Sequence, residues 1–181
     1  VLAAGLTWRE TTVLRAIGRY LRQAGTTFSD RYTELALVAH PRVARLLLDL
    51  VLARFDPDGP DQDKAEQLVQ SIEEQIDAVE SLDQDRILRS FLDVVGATLR
   101  TNFFQRHGSK RKPYLSFKLD PARLPWLPLP RPRFEIFVYS PRTEGVHLRG
   151  GKVARGGIRW SDRREDFRTE VLGLMKAQMV K

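Results

Sequence analysis

Apolar residues recur at intervals of three and four through the first 105 positions and at intervals of two soon afterwards, which predicts helices first and strands second. Thr7-Trp8-Arg9-Glu10 has the form of a capping box. Val13, Leu14, Ile17, Tyr20, Leu21 and Ala24 follow at helical spacing, and Gly25 supplies a stop. Ser29 suits the N-cap of a short helix ending near His40, and Pro41 suits the first position of the next. That next helix carries Val43, Leu46, Leu47, Leu50, Val51 and Phe55 as its apolar stripe. Residues 56–61 are a turn-rich break. Two longer helices are expected over residues 62–81 and 83–105. Leu68, Ile72, Ile76 and Val79 mark the first; Ile87, Leu88, Phe91, Val95, Leu99 and Phe103 mark the second. These stripes read as core, and no catalytic constellation lies among them.

Seven of the ten prolines fall between Pro113 and Pro141, which excludes long helix there. Residues 114–119 and 134–139 alternate as strands do, and Val146-His147-Leu148 and Val153-Ala154 suggest shorter strands around Gly150-Gly151. His147 falls in a strand pattern and reads as a structural or half-exposed residue. The fold class is therefore α+β or α/β. A helical region is expected over 1–105, and the start of an α/β substrate-binding domain over 106–181. The chain opens on Val1, and residues 174–181 read as helix interior without a stop signal, so a segment of a longer protein is expected.

Composition narrows the chemistry. With no cysteine, disulfides and thiolate metal sites are excluded, and three scattered histidines argue against a histidine-based metal site. No apolar run approaches the roughly 20 residues that span a bilayer, and no signal segment opens the chain, so a cytoplasmic, non-membrane protein is expected. The net charge is +7, yet residues 1–105 carry 12 basic and 16 acidic side chains. The positive excess lies wholly after Gln105 and suggests an anionic partner, whether nucleic acid, phosphate or carboxylate.

One segment concentrates that charge around glycine. Arg155 and Arg159 flank Gly156-Gly157, where the missing Cβ lets a ligand approach the backbone. Asp162, Glu165 and Asp166 look like a helix start, with Phe167, Val171, Leu174, Met175 and Gln178 at helical spacing beyond them. Lys181 lies 14 residues after Phe167, about 40° from it around a helix and close in angle to Leu174 and Gln178. That predicts an inward lysine, which needs an anionic partner. Arg155 and Lys181 together would present two cations to one small dianion, with a dicarboxylate the natural ligand. The plainer alternatives are a turn arginine and a solvent-facing lysine.

Arg155-Gly-Gly-Ile-Arg-Trp160, followed by Glu170 and by Lys181 eleven residues later, resembles the signature of glutamate dehydrogenases. There, Lys-Gly-Gly-Ile-Arg-aromatic precedes a helix with Glu and a substrate-binding Lys. The longer run from Gly150 to Gln178, the strands beginning Pro113-Tyr-Leu-Ser-Phe and Phe134-Glu-Ile-Phe, and the helical Ser81-Leu-Asp-Gln-Asp-Arg are similar to the large bacterial NAD-specific subfamily. The resemblance implies oxidative deamination of L-glutamate to 2-oxoglutarate and ammonia, with NAD as cofactor and a homo-oligomeric whole protein. It implies that Arg155 meets the substrate side-chain carboxylate, that Lys181 meets the α-carboxylate, and that Gly156 and Gly157 line the pocket. Arg155 stands where the family has lysine; a planar guanidinium grips a carboxylate with a different reach. The family's catalytic lysine (in a Gly-Ala-Lys-Gly-Gly-like stretch), catalytic aspartate and dinucleotide-binding fold are expected beyond Lys181. Hence no catalytic, NAD-binding or metal residue is assigned within this chain.

The alternative from a different class is a nucleic-acid-binding module. It would use the Arg-Gly-Gly elements at Arg149 and Arg155, with Trp160, Tyr139 and Phe137 for base stacking. Arg-Gly-Gly tracts that bind RNA are low-complexity segments, whereas these are embedded among Val153, Ile158 and Trp160, so nucleic acid is the disfavoured partner.

Overall fold

The structure, a computed structural model, describes residues 3–161 and 167–179. Their contacts divide the chain into two units, residues 1–18 with 28–96 and residues 19–27 with 97–181. The expected boundary at residue 105 thus differs from the observed division, which falls at 96/97 and places residues 19–27 with the sheet.

The first unit is helical. It contains most of α1 (Trp8–Gln23), then α2 (Asp30–Ala39), α3 (Pro41–Phe55), α4 (Gln62–Asp77) and nearly all of α5 (Leu82–Ala97). The start signals act as their chemistry dictates. The Glu10 carboxylate accepts from the Thr7 backbone N–H at 2.7 Å, while the Thr7 hydroxyl accepts from the Glu10 N–H at 3.3 Å. Ser29 and Asp61 cap α2 and α4 by accepting from the Tyr32 and Lys64 N–H groups. Val13, Leu14, Ile17, Leu47, Leu48, Ile72, Ile76, Leu88 and Phe91 are buried. Each such side chain contributes about 1.5–3 kcal/mol relative to exposure.

Two helix ends depart from the sequence reading. Helix α4 stops at Asp77, short of residue 81. Helix α5 stops at Ala97, and the chain passes directly into strand β1 (Thr98–Thr101) instead of staying helical to residue 105. Gly96 weakens the helix there, and β-branched Thr98 and Thr101 favour an extended backbone that finds a partner strand. Leu99, expected on the buried stripe, is consequently exposed, while Phe103 is buried beyond the strand.

The second unit is built on a five-stranded sheet in the order β1-β4-β5-β6-β7, with β4 (Leu115–Leu119), β5 (Phe134–Tyr139), β6 (Thr143–Gly150) and β7 (Val153–Trp160). Every pairing in it is antiparallel, so the class is α+β. A separate basic hairpin joins β2 (Arg106–His107) to β3 (Lys110–Arg111). Strands β6 and β7 are longer than expected and form one hairpin; Gly151 turns it at φ +73°, a conformation that favours glycine.

Strands β4 and β5 alternate strictly. Leu115, Phe117, Leu119, Glu135, Phe137, Tyr139, Glu144, Val146 and Leu148 are all buried and share one face by register. Helix α6 (Phe167–Met179) and the last turn of α1 belong to the same unit. Helix α6 packs on β6 and β7, burying Arg168, Val171, Leu172 and Met175. The Tyr20 ring of α1 lies 5.6 Å from that of Phe137.

Candidate functional site

The glycine pair lies inside a strand. Gly156 pairs with His147 and Gly157 with Val146, so β7 continues through both. Both glycines have a packing reason. A Cβ on Gly156 would stand 2.8 Å from the Val146 carbonyl oxygen, and one on Gly157 would stand 2.6 Å from Cζ of Phe167. The sequence reading gave that space to a ligand; on Gly157 the Phe167 ring fills it.

Arg155 pairs with Leu148 and therefore projects to the face on which α6 lies, where it is exposed. Strand β7 is the sheet's edge, so part of its backbone hydrogen-bonding capacity faces away from β6. Helix α6 runs antiparallel to β7. It starts with Phe167 on Gly157 and finishes with Met175 and Met179 against Gly150, which pairs with Val153. The helix thus returns to the end of β7 that carries Arg155.

Lys181 lies outside the described residues, as do Asp162, Glu165 and Asp166. The inward face assigned to Lys181 rested on Phe167, Leu174 and Gln178. Leu174 is 58% exposed, Gln178 is exposed and Phe167 is half-buried, while the buried stripe is Arg168, Val171, Leu172 and Met175. The helix face that holds Phe167 is the flank over β7, at the margin of the core.

At the start of α6 the same face of the sheet holds a buried polar chain that sequence reading missed. Arg168 grips Glu135 through two parallel hydrogen bonds, Nε to Oε1 at 2.7 Å and Nη2 to Oε2 at 2.9 Å, with neither side chain exposed. The Arg168 backbone N–H donates to Oε1 of Gln23 at 3.1 Å, and Nε2 of Gln23 donates to Oε2 of Glu144 at 3.0 Å. Glu144 also accepts from Nη2 of Arg159 at 3.2 Å, across the β6–β7 pairing, and Arg19 approaches its other oxygen at 4.0 Å.

Burial sets the electrostatics. It raises the Glu135 carboxyl above the ordinary value, against the hydrogen bonds and charge of Arg168. Burial likewise raises Glu144, opposed by Arg159, Arg19 and Gln23. The Tyr20 phenol is pushed well up by burial and then by the neighbouring Glu135 charge. One signal was readable beforehand: Glu135 has the same strand parity as Phe137 and Tyr139, which marks it as a buried carboxylate needing a cation. Nothing local named Arg168, Gln23 or Glu144 as its companions.

The nucleic-acid alternative loses its platform. Arg149 pairs with Ala154 and Arg155 with Leu148, so adjacent register positions send the two arginines to opposite faces. Phe137 and Tyr139 are buried, whereas Trp160 is exposed and lies on the opposite face from them.

Among the described residues no group of three or more His, Asp or Glu side chains could hold a metal ion. None of their helices is long and apolar enough to cross a membrane. Among the described residues every pairing of the five-stranded sheet is antiparallel, unlike the parallel β-α-β unit that cradles a dinucleotide pyrophosphate.

Two family models cover most of the chain, and both define the same class, the glutamate dehydrogenases. Residues 71–181 match the family model "Bacterial NAD-glutamate dehydrogenase, catalytic domain", and residues 1–57 match "Glutamate dehydrogenase, helical motif 3". The chain belongs to the bacterial NAD-glutamate dehydrogenase family. It is 55% identical over 187 residues to the NAD-specific glutamate dehydrogenase of Pseudomonas aeruginosa and 55% identical over 186 residues to that of Mycobacterium tuberculosis. It is 52% identical over 183 residues to that of Halomonas elongata. All of this chain is covered in each case, but it spans only 11–12% of the length of these relatives.

Proposed function

We propose that this chain is the substrate-carboxylate-binding part of an NAD-dependent glutamate dehydrogenase, working within a polypeptide of its relatives' length. The reaction is oxidative deamination of L-glutamate to 2-oxoglutarate and ammonia, with the hydride passed to NAD. The observation that carries this reading is the antiparallel run of α6 along β7, from Phe167 on Gly157 back to Met179 at Gly150. The flank of α6 that starts at Phe167 continues through Leu174 and Gln178, and Lys181 stands three positions further along the sequence. Arg155 stands exposed on the strand below that flank.

A solvent-open margin suits a site that must admit and release a charged amino acid. In this reading Arg155 holds the side-chain carboxylate and Lys181 holds the α-carboxylate. Two charge-assisted contacts orient a dicarboxylate end to end, and orientation is the part of the chemistry these residues supply. Proton and hydride transfer belong to groups outside this chain.

In the full-length enzyme, Lys181→Ala and Arg155→Ala should each raise the glutamate KM by roughly tenfold or more, the loss of one charged contact. Unchanged kcat and KM in both variants would overturn the assignment. The 181-residue chain alone should bind glutamate weakly and turn over none; turnover by it would refute the division of labour.

A further inference from the structure

The buried polar chain lies where the two halves of the proposed site are joined. One half is β7, which carries Arg155. The other is α6, which leads to Lys181. Gln23, at the end of α1, touches both sides of that joint. Its carbonyl oxygen accepts from the backbone N–H of Arg168 in the first turn of α6, at 3.1 Å. Its amide nitrogen donates to Glu144, at 3.0 Å, and Glu144 holds Arg159 of β7 at 3.2 Å. Every link is shielded: Gln23 and Glu144 are 1% exposed and the Arg159 side chain 7%.

We infer that Gln23 is a positioning residue for substrate binding, a clamp that sets the spacing of α6 from β7, the strand that carries Arg155. The inference rests on the proposed glutamate site. The chemistry favours an amide at this position. One side of the gap offers a backbone donor and the other a carboxylate acceptor, so only a side chain with both an acceptor and a donor satisfies the two at once. A hydrocarbon would leave a buried N–H and a buried carboxylate oxygen without this partner, and a carboxylate would set two negative charges face to face. The Glu135–Arg168 pair fixes the same helix turn to β5, so α6 is held at two points, to the middle of the sheet and to its edge. Two-point fixation at one end is a lever. A small rotation there is carried along the 13 residues of α6 to its other end. A misplacement of about 1 Å at a substrate contact is enough to cost orders of magnitude in rate.

The test is steady-state kinetics of the full-length enzyme. Gln23→Met should raise the glutamate KM roughly tenfold while leaving the NAD KM within about twofold, because only the dicarboxylate contacts lose their spacing. Gln23→Glu keeps the shape and the acceptor for Arg168 but loses the donor, and should shift the glutamate KM in the same direction even if Gln23→Met folds poorly. Combining Gln23→Glu with Glu144→Gln restores a donor–acceptor pair in reverse and should bring the glutamate KM back towards the parent value. A lowered melting temperature with an unchanged glutamate KM in both single variants would overturn the clamp, as would an equal rise in the glutamate and NAD KM values. If Arg155→Ala and Lys181→Ala are also silent, the site itself is wrong and the clamp falls with it. If those two respond and Gln23 does not, only the clamp is wrong.

Discussion

Arg168 and Glu135 face each other as a bidentate pair with no solvent exposure on either side chain, joining the first turn of α6 to the middle strand of the sheet. Such a pair contributes little net stability compared with apolar residues of the same volume, because two charges were taken out of water to form it. Losing one partner is a different matter. Arg168→Met should destabilise the fold by about 3–5 kcal/mol, since the Glu135 carboxylate stays buried without its cation. The double variant Glu135→Leu with Arg168→Met should recover most of that loss. Urea unfolding measures both. A single-variant loss below about 1 kcal/mol, the range of a surface ion pair, would contradict the buried geometry.

Glu144 makes a pH-dependent prediction. Burial lifts its carboxyl above the ordinary 4.5, and the charge of Arg159 is the foremost opposing influence. Arg159→Met therefore lifts it further. Between the unfolded and folded values the native state keeps a proton that the unfolded chain has released, so stability falls as pH rises through that window. The penalty of Arg159→Met should be small below pH 4.5 and grow as the pH is raised through the folded value. Unfolding free energies of parent and variant across this range provide the check, and a penalty independent of pH would refute it.

The two glycines of β7 should respond unequally to alanine. At Gly156 the new Cβ meets main chain, the Val146 carbonyl oxygen at 2.8 Å and the His147 Cα at 3.3 Å, so strand β6 must move. At Gly157 the close neighbour is the tip of the Phe167 ring, which can turn aside. Gly156→Ala should cost about 1–3 kcal/mol, the range for overpacking, and Gly157→Ala less. Thermal unfolding decides the order, and an equal or reversed order would be inconsistent with the register.

Much of the architecture was legible because it is written in local chemistry. The capping residues Thr7 and Ser29 start their helices as read, and the alternation of residues 134–139 places them in a strand. The reading failed where a local signal had two meanings. Ile87, Phe91, Val95, Leu99 and Phe103 keep helical spacing, yet the chain becomes a strand at Thr98 because β4 offers it a ladder. At Gly156-Gly157 the missing Cβ reads as room for a ligand. In the sheet the same absence of Cβ admits a neighbouring carbonyl and an aromatic ring.

The chain by itself determined which residues are apolar, where helices can begin and which motif the second half carries, because those follow from side-chain chemistry within a few residues. Tertiary structure alone decided the company of the buried charges. Gln23 and Arg168 are 145 positions apart, and Arg168 and Glu135 are 33 apart. No short-range periodicity encodes such pairings. They arise because burying the sheet's inner face leaves each polar atom there to find a partner from whatever elements the fold brings to it.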